Sequence, residues 1–284
     1  MKKLLVLLLP LGLVHAQTFV ENALPRAAAI RRAPGSVGGP SAPGVSVGVQ
    51  SGVLPRILSD GNWATTVVLL NTGSGSVTFQ QFFFAADGKP ASYTIQSAAI
   101  SGSLTTSALQ GVLAPGSSLS LALSDASGTV PEGWSLLTYN AGQGVVEGYA
   151  VVRRKALGGG FSFETAEPFS GMLDYSACVP FDNTQGFATQ LTLLNPAGNV
   201  AAQVQLTYLN PQGQVLLIDS VTLQAAQQMT LVLPDTYPDL ANKSGSVLVQ
   251  ANINLFSVTG LRYNDAYGVI AALPVFNKPA SLPE

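Results

Sequence analysis

Histidine occurs once in the 284 residues, at position 15, and cysteine once, at position 178. Charged residues make up only 10% of the chain, against roughly 25% in ordinary globular proteins. Each scarcity excludes something. His15 lies inside an N-terminal stretch that reads as a cleaved leader, so the mature chain would carry no histidine. That removes Ser-His-Asp and Cys-His catalysis, imidazole acid–base chemistry and the commonest zinc ligand sets. A single cysteine cannot close an intramolecular disulfide, so the fold must rest on its core, which a chain of this length can bury. Cys178, in Ala177-Cys178-Val179-Pro180-Phe181, has no base near it in sequence. It reads as a buried inert thiol, with an intermolecular disulfide as the sharper alternative. The formal net charge is −2, and loss of Lys2 and Lys3 with the leader leaves eleven basic residues against fifteen acidic ones, hence −4. With no basic patch, nucleic acid is not an expected partner. Weak self-repulsion makes self-association easier.

What is present begins with export. Met1-Lys2-Lys3, an apolar run from Leu4 to Val14, and small or aliphatic residues at Val14 and Ala16 form a Sec-type secretory signal, with cleavage expected after Ala16. The apolar run is too short to cross a bilayer, which takes ~20 residues, and no later run is long enough. We therefore expect a secreted or cell-surface protein, periplasmic or extracellular, with no stable membrane insertion after cleavage. The two-lysine leader and the missing disulfides fit a bacterial source. Residues 17–52 are rich in Ala, Gly, Pro and Ser and read as a low-complexity linker or arm, with a helical turn or two over Arg26 to Arg32.

Beyond the arm the chain repeats itself. Trp63-Ala64-Thr65-Thr66-Val67-Val68-Leu69-Leu70-Asn71 aligns position for position with Phe187-Ala188-Thr189-Gln190-Leu191-Thr192-Leu193-Leu194-Asn195. Leu113 to Asp125 then aligns with Leu223 to Asp235, Gly148 with Gly260, and Pro168 with Pro274. The order is kept, and the change in spacing places a longer insertion in the first copy, between about Ala91 and Gly111. This predicts one repeat over 53–172 and a second over 173–284. In the second, period-two runs at Thr189–Leu194, Val200–Leu209, Val215–Leu223, Met229–Leu233, Ser246–Gln250, Leu255–Tyr263 and Val269–Leu273 are separated by turn signals such as Asn195-Pro196 and Asn210-Pro211-Gln212-Gly213. The expected fold is all-β: two tandem antiparallel immunoglobulin-like β-sandwich domains. An outer-membrane barrel is disfavoured by the missing aromatic girdles and the many turn prolines.

The pattern Asp182-Asn183-Thr184-Gln185-Gly186-Phe187-Ala188-Thr189 through Asn195-Pro196, followed by Tyr208-Leu209-Asn210-Pro211 and Phe256-Ser257-Val258-Thr259-Gly260-Leu261-Arg262-Tyr263-Asn264, resembles uncharacterised tandem Ig-like β-sandwich repeats of secreted bacterial proteins. The first copy departs from it, with Asp60-Gly61-Asn62-Trp63 at the corresponding place. The resemblance implies fold and export, and carries no activity.

No constellation of residues points to a reaction, so no catalytic, cofactor-binding or metal-binding residues are expected. Gly44-Val45-Ser46-Val47-Gly48 matches the nucleophile-elbow pattern but lies in the arm without a histidine partner. Glu164, Glu167 and Asp174 form the only acidic cluster and read as a solvated junction, or less readily as a carboxylate pair of a hydrolase. Asp60, Asp182, Asp125 and Asp235 recur at loop positions, where Asp binds turn backbones more often than calcium. Aromatics offer the remaining surface. In Phe82-Phe83-Phe84, regular alternation puts Phe79 and Phe83 in the core and Phe82 and Phe84 outside, whereas a bulge at Gln80-Gln81 would do the reverse. Trp63 reads as packing, and Trp134 as the better candidate for an exposed ring. The expected interaction surface is thus Phe82, Phe83, Phe84 and Trp134. The expected function is a secreted non-enzymatic surface, adhesion or structural interaction protein with a protein or glycan partner at the cell surface. Carbohydrate binding through those aromatics is the alternative.

Overall fold

The computed structural model describes residues 31–32, 49–125, 132–140, 144–155, 161–170, 176–253 and 256–277. The leader, most of the arm, the Gly44–Gly48 pattern and Asp174 lie outside them.

The chain is all-β. Its strands are β1 (Arg31–Arg32), β2 (Val49–Leu58), β3 (Trp63–Asn71), β4 (Val77–Ala85), β5 (Tyr93–Gln96), β6 (Ser103–Thr106), β7 (Ala108–Leu113), β8 (Ser118–Asp125), β9 (Glu132–Asn140), β10 (Val146–Lys155) and β11 (Phe161–Pro168) in the first half. The second half holds β12 (Ser176–Asp182), β13 (Ala188–Leu194), β14 (Ala202–Leu209), β15 (Val215–Leu223), β16 (Gln228–Val232), β17 (Ser244–Ala251), β18 (Ser257–Asn264), β19 (Val269–Leu273) and β20 (Phe276–Asn277). A four-residue helix, α1 (Leu233–Thr236), and a 3-10 turn at Pro238–Leu240 follow β16. Arg31–Arg32 is strand paired with β7, not the helical turn expected there. β2 begins at Val49, inside the stretch assigned to the arm.

Four small sheets result: sheet I in the order β1-β7-β4-β9-β2, sheet II β11-β10-β3-β8-β5-β6, sheet III β16-β13-β18-β19, and sheet IV β15-β14-β17-β12-β20. They are set in a propeller-like arrangement and are not the two immunoglobulin-like sandwiches expected. An immunoglobulin fold pairs its first strand with its second. Here β2 pairs with β9, and β12 with β17, while β3 and β13 pair with β10 and β18. Period-two alternation says which face a side chain takes, but not which strand lies alongside.

Alternation then decides the packing. Sheet I turns Leu54, Phe79 and Phe83 towards sheet II, where Val67, Leu69, Leu121 and Val152 meet them. Its other face turns Val53, Phe84, Trp134 and Leu136 towards Leu194 and Ala226 of the second half. Sheets III and IV bury Leu191, Leu193 and Val258 against Val179, Val204, Leu206 and Tyr208. Sheet I thus packs on sheet II and sheet III on sheet IV, while the contact of Val53, Phe84, Trp134 and Leu136 with Leu194 and Ala226 forms part of the seam between the halves. Burying a large side chain contributes roughly 1.5–3 kcal/mol, so each layer is a substantial source of stability.

Three local devices recur in the halves. Asn71 Nδ2 donates to the carbonyls of Gly75 and Leu113, and Asn195 Nδ2 to those of Val200 and Leu223. Thr65 and Thr189 hydroxyls accept from the amides of Leu58 and Asp182. Arg154 lies 4.9 Å over the Trp63 ring, and Arg262 lies 3.4 Å over the Phe187 ring.

Candidate functional site

The four aromatics expected at the surface are at the seam or in the core. Strand β4 runs in register with both β7 and β9, without a bulge. Phe79 and Phe83 accordingly enter the first core, and Phe83 meets Tyr93 edge-on at 5.6 Å. Phe84 and Trp134 are fully buried on the opposite face and stack at 4.2 Å between ring centroids, 18° apart in plane. The Trp134 indole N–H donates to the carbonyl of Ala226 at 3.0 Å. Phe82 packs half-buried against the same cluster. The expectation of exposed rings is overturned, and with it the carbohydrate platform: the patch is covered by the other half of the same chain. Trp63, read as packing, is only half-buried and lies under Arg154.

Around this plug the halves are bonded together. The amide of Gln228 donates to Ala86 O at 2.8 Å, and its side chain to Pro55 O at 2.8 Å. The Thr230 hydroxyl donates to Glu132 at 3.0 Å, and the amide of Ala272 to Thr165 Oγ1 at 2.9 Å. The turn residue Gly88, at φ +82°, lets the Ala226 backbone approach where a Cβ would stand 2.7 Å from its carbonyl oxygen.

The most unusual chemistry at the seam is a buried ion pair. Pro55 and Arg56 occupy a register shift between Leu54 and Ile57 in β2, an edge strand of sheet I, where a proline costs no ladder bond. The bulge lets a charged side chain leave the alternation of the apolar strand. Arg56 is fully buried, pairs with Glu167 Oε1, and donates to Thr192 of the second half at 3.2 Å. Glu167 is 1% exposed, not the solvated junction residue expected. Arg56 Nε, Glu167 Oε2 and Gln228 Oε1 have no hydrogen-bond partner among the described residues. Such orphaned atoms cost ~1–3 kcal/mol each unless something else meets them.

Beside the pair lies a cavity of about 510 Å3, walled by β2, β11, β18 and β19 and the chain beyond β19. Pro55, Pro168, Val258, Leu273 and Val275 make it apolar, Thr259 and Asn277 add polar edges, and Glu167 is the only charged residue among the described ones that line it. A smaller polar cleft of about 140 Å3 is lined by Asp60, Trp63, Glu132, Arg154, Gln190 and Tyr263. Arg154 spans it, 4.9 Å from the Trp63 ring and 5.5 Å from the Tyr263 ring, and donates to Asp265 at 2.7 Å. Burial raises the Tyr263 hydroxyl, with Asp265 and Asp235 adding to the effect.

The acidic candidates are spoken for. Glu164 and Glu167, three apart on a strand, turn to opposite faces. Glu164 is exposed and paired with Arg153 at 2.9 Å. Asp60 accepts from the amides of Asn62 and Trp63, both at 2.9 Å. Asp182 binds Thr184 and Arg262. Burial pushes its carboxyl up, but the Thr184 bonds and the Arg262 charge outweigh burial and hold it below the usual range. Among the described residues no group of three or more His, Cys, Asp or Glu gathers as a metal ligand set. Cys178 is half-buried, near the edge where β20 pairs with β12. Sequence reasoning missed Arg56. Its signal is the Pro55-Arg56 pair interrupting an apolar strand, the mark of a bulge carrying a buried charge.

Comparison with protein-family models, with curated proteins and with solved structures finds no match to this chain. Among the described residues no helix is long and apolar enough to cross a membrane.

Proposed function

We propose that this is a secreted, non-enzymatic interaction protein for surface adhesion or structural assembly, built from two copies of one β-unit and able to associate through the open edge of the second. The carrying observation is strand β15. In sheet I the outer edge of β7 is met by β1, whereas nothing among the described residues pairs with the outer edge of β15. Its nine residues, Val215–Leu223, contain no lysine or proline of the kind that blunts edges, and Val215 and Ile218 are 57% and 54% exposed. An antiparallel edge can pair with the same edge of a second molecule by two-fold symmetry, and the low net charge opposes this little. The copies reading is supported by the recurring Asn, Thr and cation–π devices, and by sheet orders that match once β1, β5, β6 and β20 are set aside. A non-enzymatic role is supported by carboxylates that turn away from each other into turns and ion pairs.

Sedimentation of the mature protein tests the reading. Association should rise with concentration and be lost in Ile218→Lys. A monomer at every concentration, or turnover of a polymer by the purified chain, would overturn it.

A further inference from the structure

Alternate residues of β13 face the seam. Leu194 joins the cluster of Phe84 and Trp134, Thr192 meets Arg56, and Gln190 lines the polar cleft. Leu194 and Thr192 are fully buried and engaged. Gln190 is only 8% exposed, yet its side-chain amide bonds nothing among the described residues. Neither of its polar atoms is among the unpartnered ones sealed from solvent, as Glu167 Oε2 is. The little exposure that Gln190 keeps therefore includes its amide, in the cleft whose wall it forms.

That amide holds a donor and an acceptor together. Beside it, Asp60 and Glu132 offer acceptors, and among the described residues each uses one oxygen, Asp60 Oδ1 and Glu132 Oε2. Arg154 is a donor already paired with Asp265. The two carboxylates repel an anion. An ammonium only donates, so it leaves the Gln190 amide N–H groups unmet, and it stands against Arg154. A hydroxyl donates and accepts, so neighbouring hydroxyls answer the amide and the carboxylates at once. At about 140 Å3 the cleft is smaller than the sites of drug-sized ligands. It takes one ring, not a chain.

We propose that this cleft binds a single neutral sugar ring, with adjacent hydroxyls on the Gln190 amide and on the Asp60 and Glu132 carboxylates. Gln190 and Tyr263 come from the second half and the other walls from the first, so the site exists only while the halves are docked. It is independent of the β15 edge and is tested without it.

The test titrates the isotope-labelled mature chain with methyl glucoside, methyl galactoside and methyl mannoside, followed by NMR. Cyclohexylamine and cyclohexanecarboxylate serve as charged single-ring controls. At least one glycoside should bind with a dissociation constant on the order of a millimolar, as befits so small a ligand, and should shift the Gln190 side-chain amide resonances. The charged rings should bind about tenfold more weakly or worse. Gln190→Leu removes both arms of the amide and breaks no bond within the protein. It should weaken glycoside binding about tenfold or more, while the urea midpoint stays or rises. If that variant fails to fold, the shift of the Gln190 amide in the unsubstituted chain decides alone. Absence of glycoside binding, binding that leaves the Gln190 amide unmoved, unchanged affinity in Gln190→Leu, or preference for the amine would overturn the assignment.

Discussion

The two halves share a framework and use its outer surfaces differently. In the first, sheet I has cores on both faces: Phe79 and Phe83 look inward, while Phe84 and Trp134 look towards the second half. Sheet II is lengthened by β5 and β6, which fall where the insertion was expected, and β1 meets the far edge of sheet I. In the second half it is sheet III that faces the seam, through Leu194 and the turn at Ala226, while among the described residues nothing pairs with the outer edge of β15 in sheet IV. The inner strand β14 puts Thr207-Tyr208-Leu209 where β4 has Phe82-Phe83-Phe84. Strands in matching places thus carry different surfaces: those of sheet I are covered by the second half, whereas among the described residues nothing pairs with the outer edge of β15.

Breaking the seam should cost most. Trp134→Ala removes a stacked ring and its bond to Ala226, and ~3–5 kcal/mol should be lost in denaturant unfolding. Ser246, which lies opposite Leu209 in β17 as Trp134 lies opposite Phe84 in β9, should tolerate alanine within about 0.5 kcal/mol. Arg56→Met strands the Glu167 carboxylate and should cost ~3–5 kcal/mol, while pairing it with Glu167→Leu should restore much of the loss. If the double variant is no better than the single, the cost lies in packing and not in the unpaired charge. Gly133→Ala should lose ~1–3 kcal/mol, because a Cβ there collides with the Phe84 carbonyl oxygen and comes within 2.5 Å of the Tyr93 hydroxyl.

High pH should act on both halves. Burial raises the Tyr93 and Tyr208 hydroxyls, and burial with a hydrogen bond to Asp219 pushes Tyr237 up to about 12. A raised pKa means that the folded chain holds its proton more tightly than the unfolded one. The associated stability is complete below the ordinary tyrosine value of about 10 and is lost as pH climbs through that value towards 12. Urea midpoints measured from pH 9 to pH 12 should fall, and Tyr237→Phe should flatten part of the fall. The smallest effect belongs to the exposed Arg153–Glu164 pair, where Arg153→Ala should change stability by less than ~1 kcal/mol.

The strands were largely readable in the sequence. Val215–Leu223 and Val269–Leu273 agree with their alternating runs to the residue, and the others differ by a few positions at their ends. β12 shows no clean alternating run because Pro180 interrupts it, and among the described residues that proline is paired on one side only. Sheet partners were not readable, since alternation carries no record of neighbours, and the immunoglobulin-like expectation failed there. For the site, alternation correctly placed Phe83 inward and Phe84 outward. It could not reveal that Leu194 and Ala226 would cover Phe84, because that depends on how two distant segments dock. Glu167 looked solvated because its partner Arg56 lies 111 positions away.

The central claim is that the seam joins the halves into one cooperative body. Scanning calorimetry of the mature chain tests it most directly: one transition is expected, with calorimetric and van't Hoff enthalpies equal. Two separable transitions, unaffected by Trp134→Ala, would contradict the account.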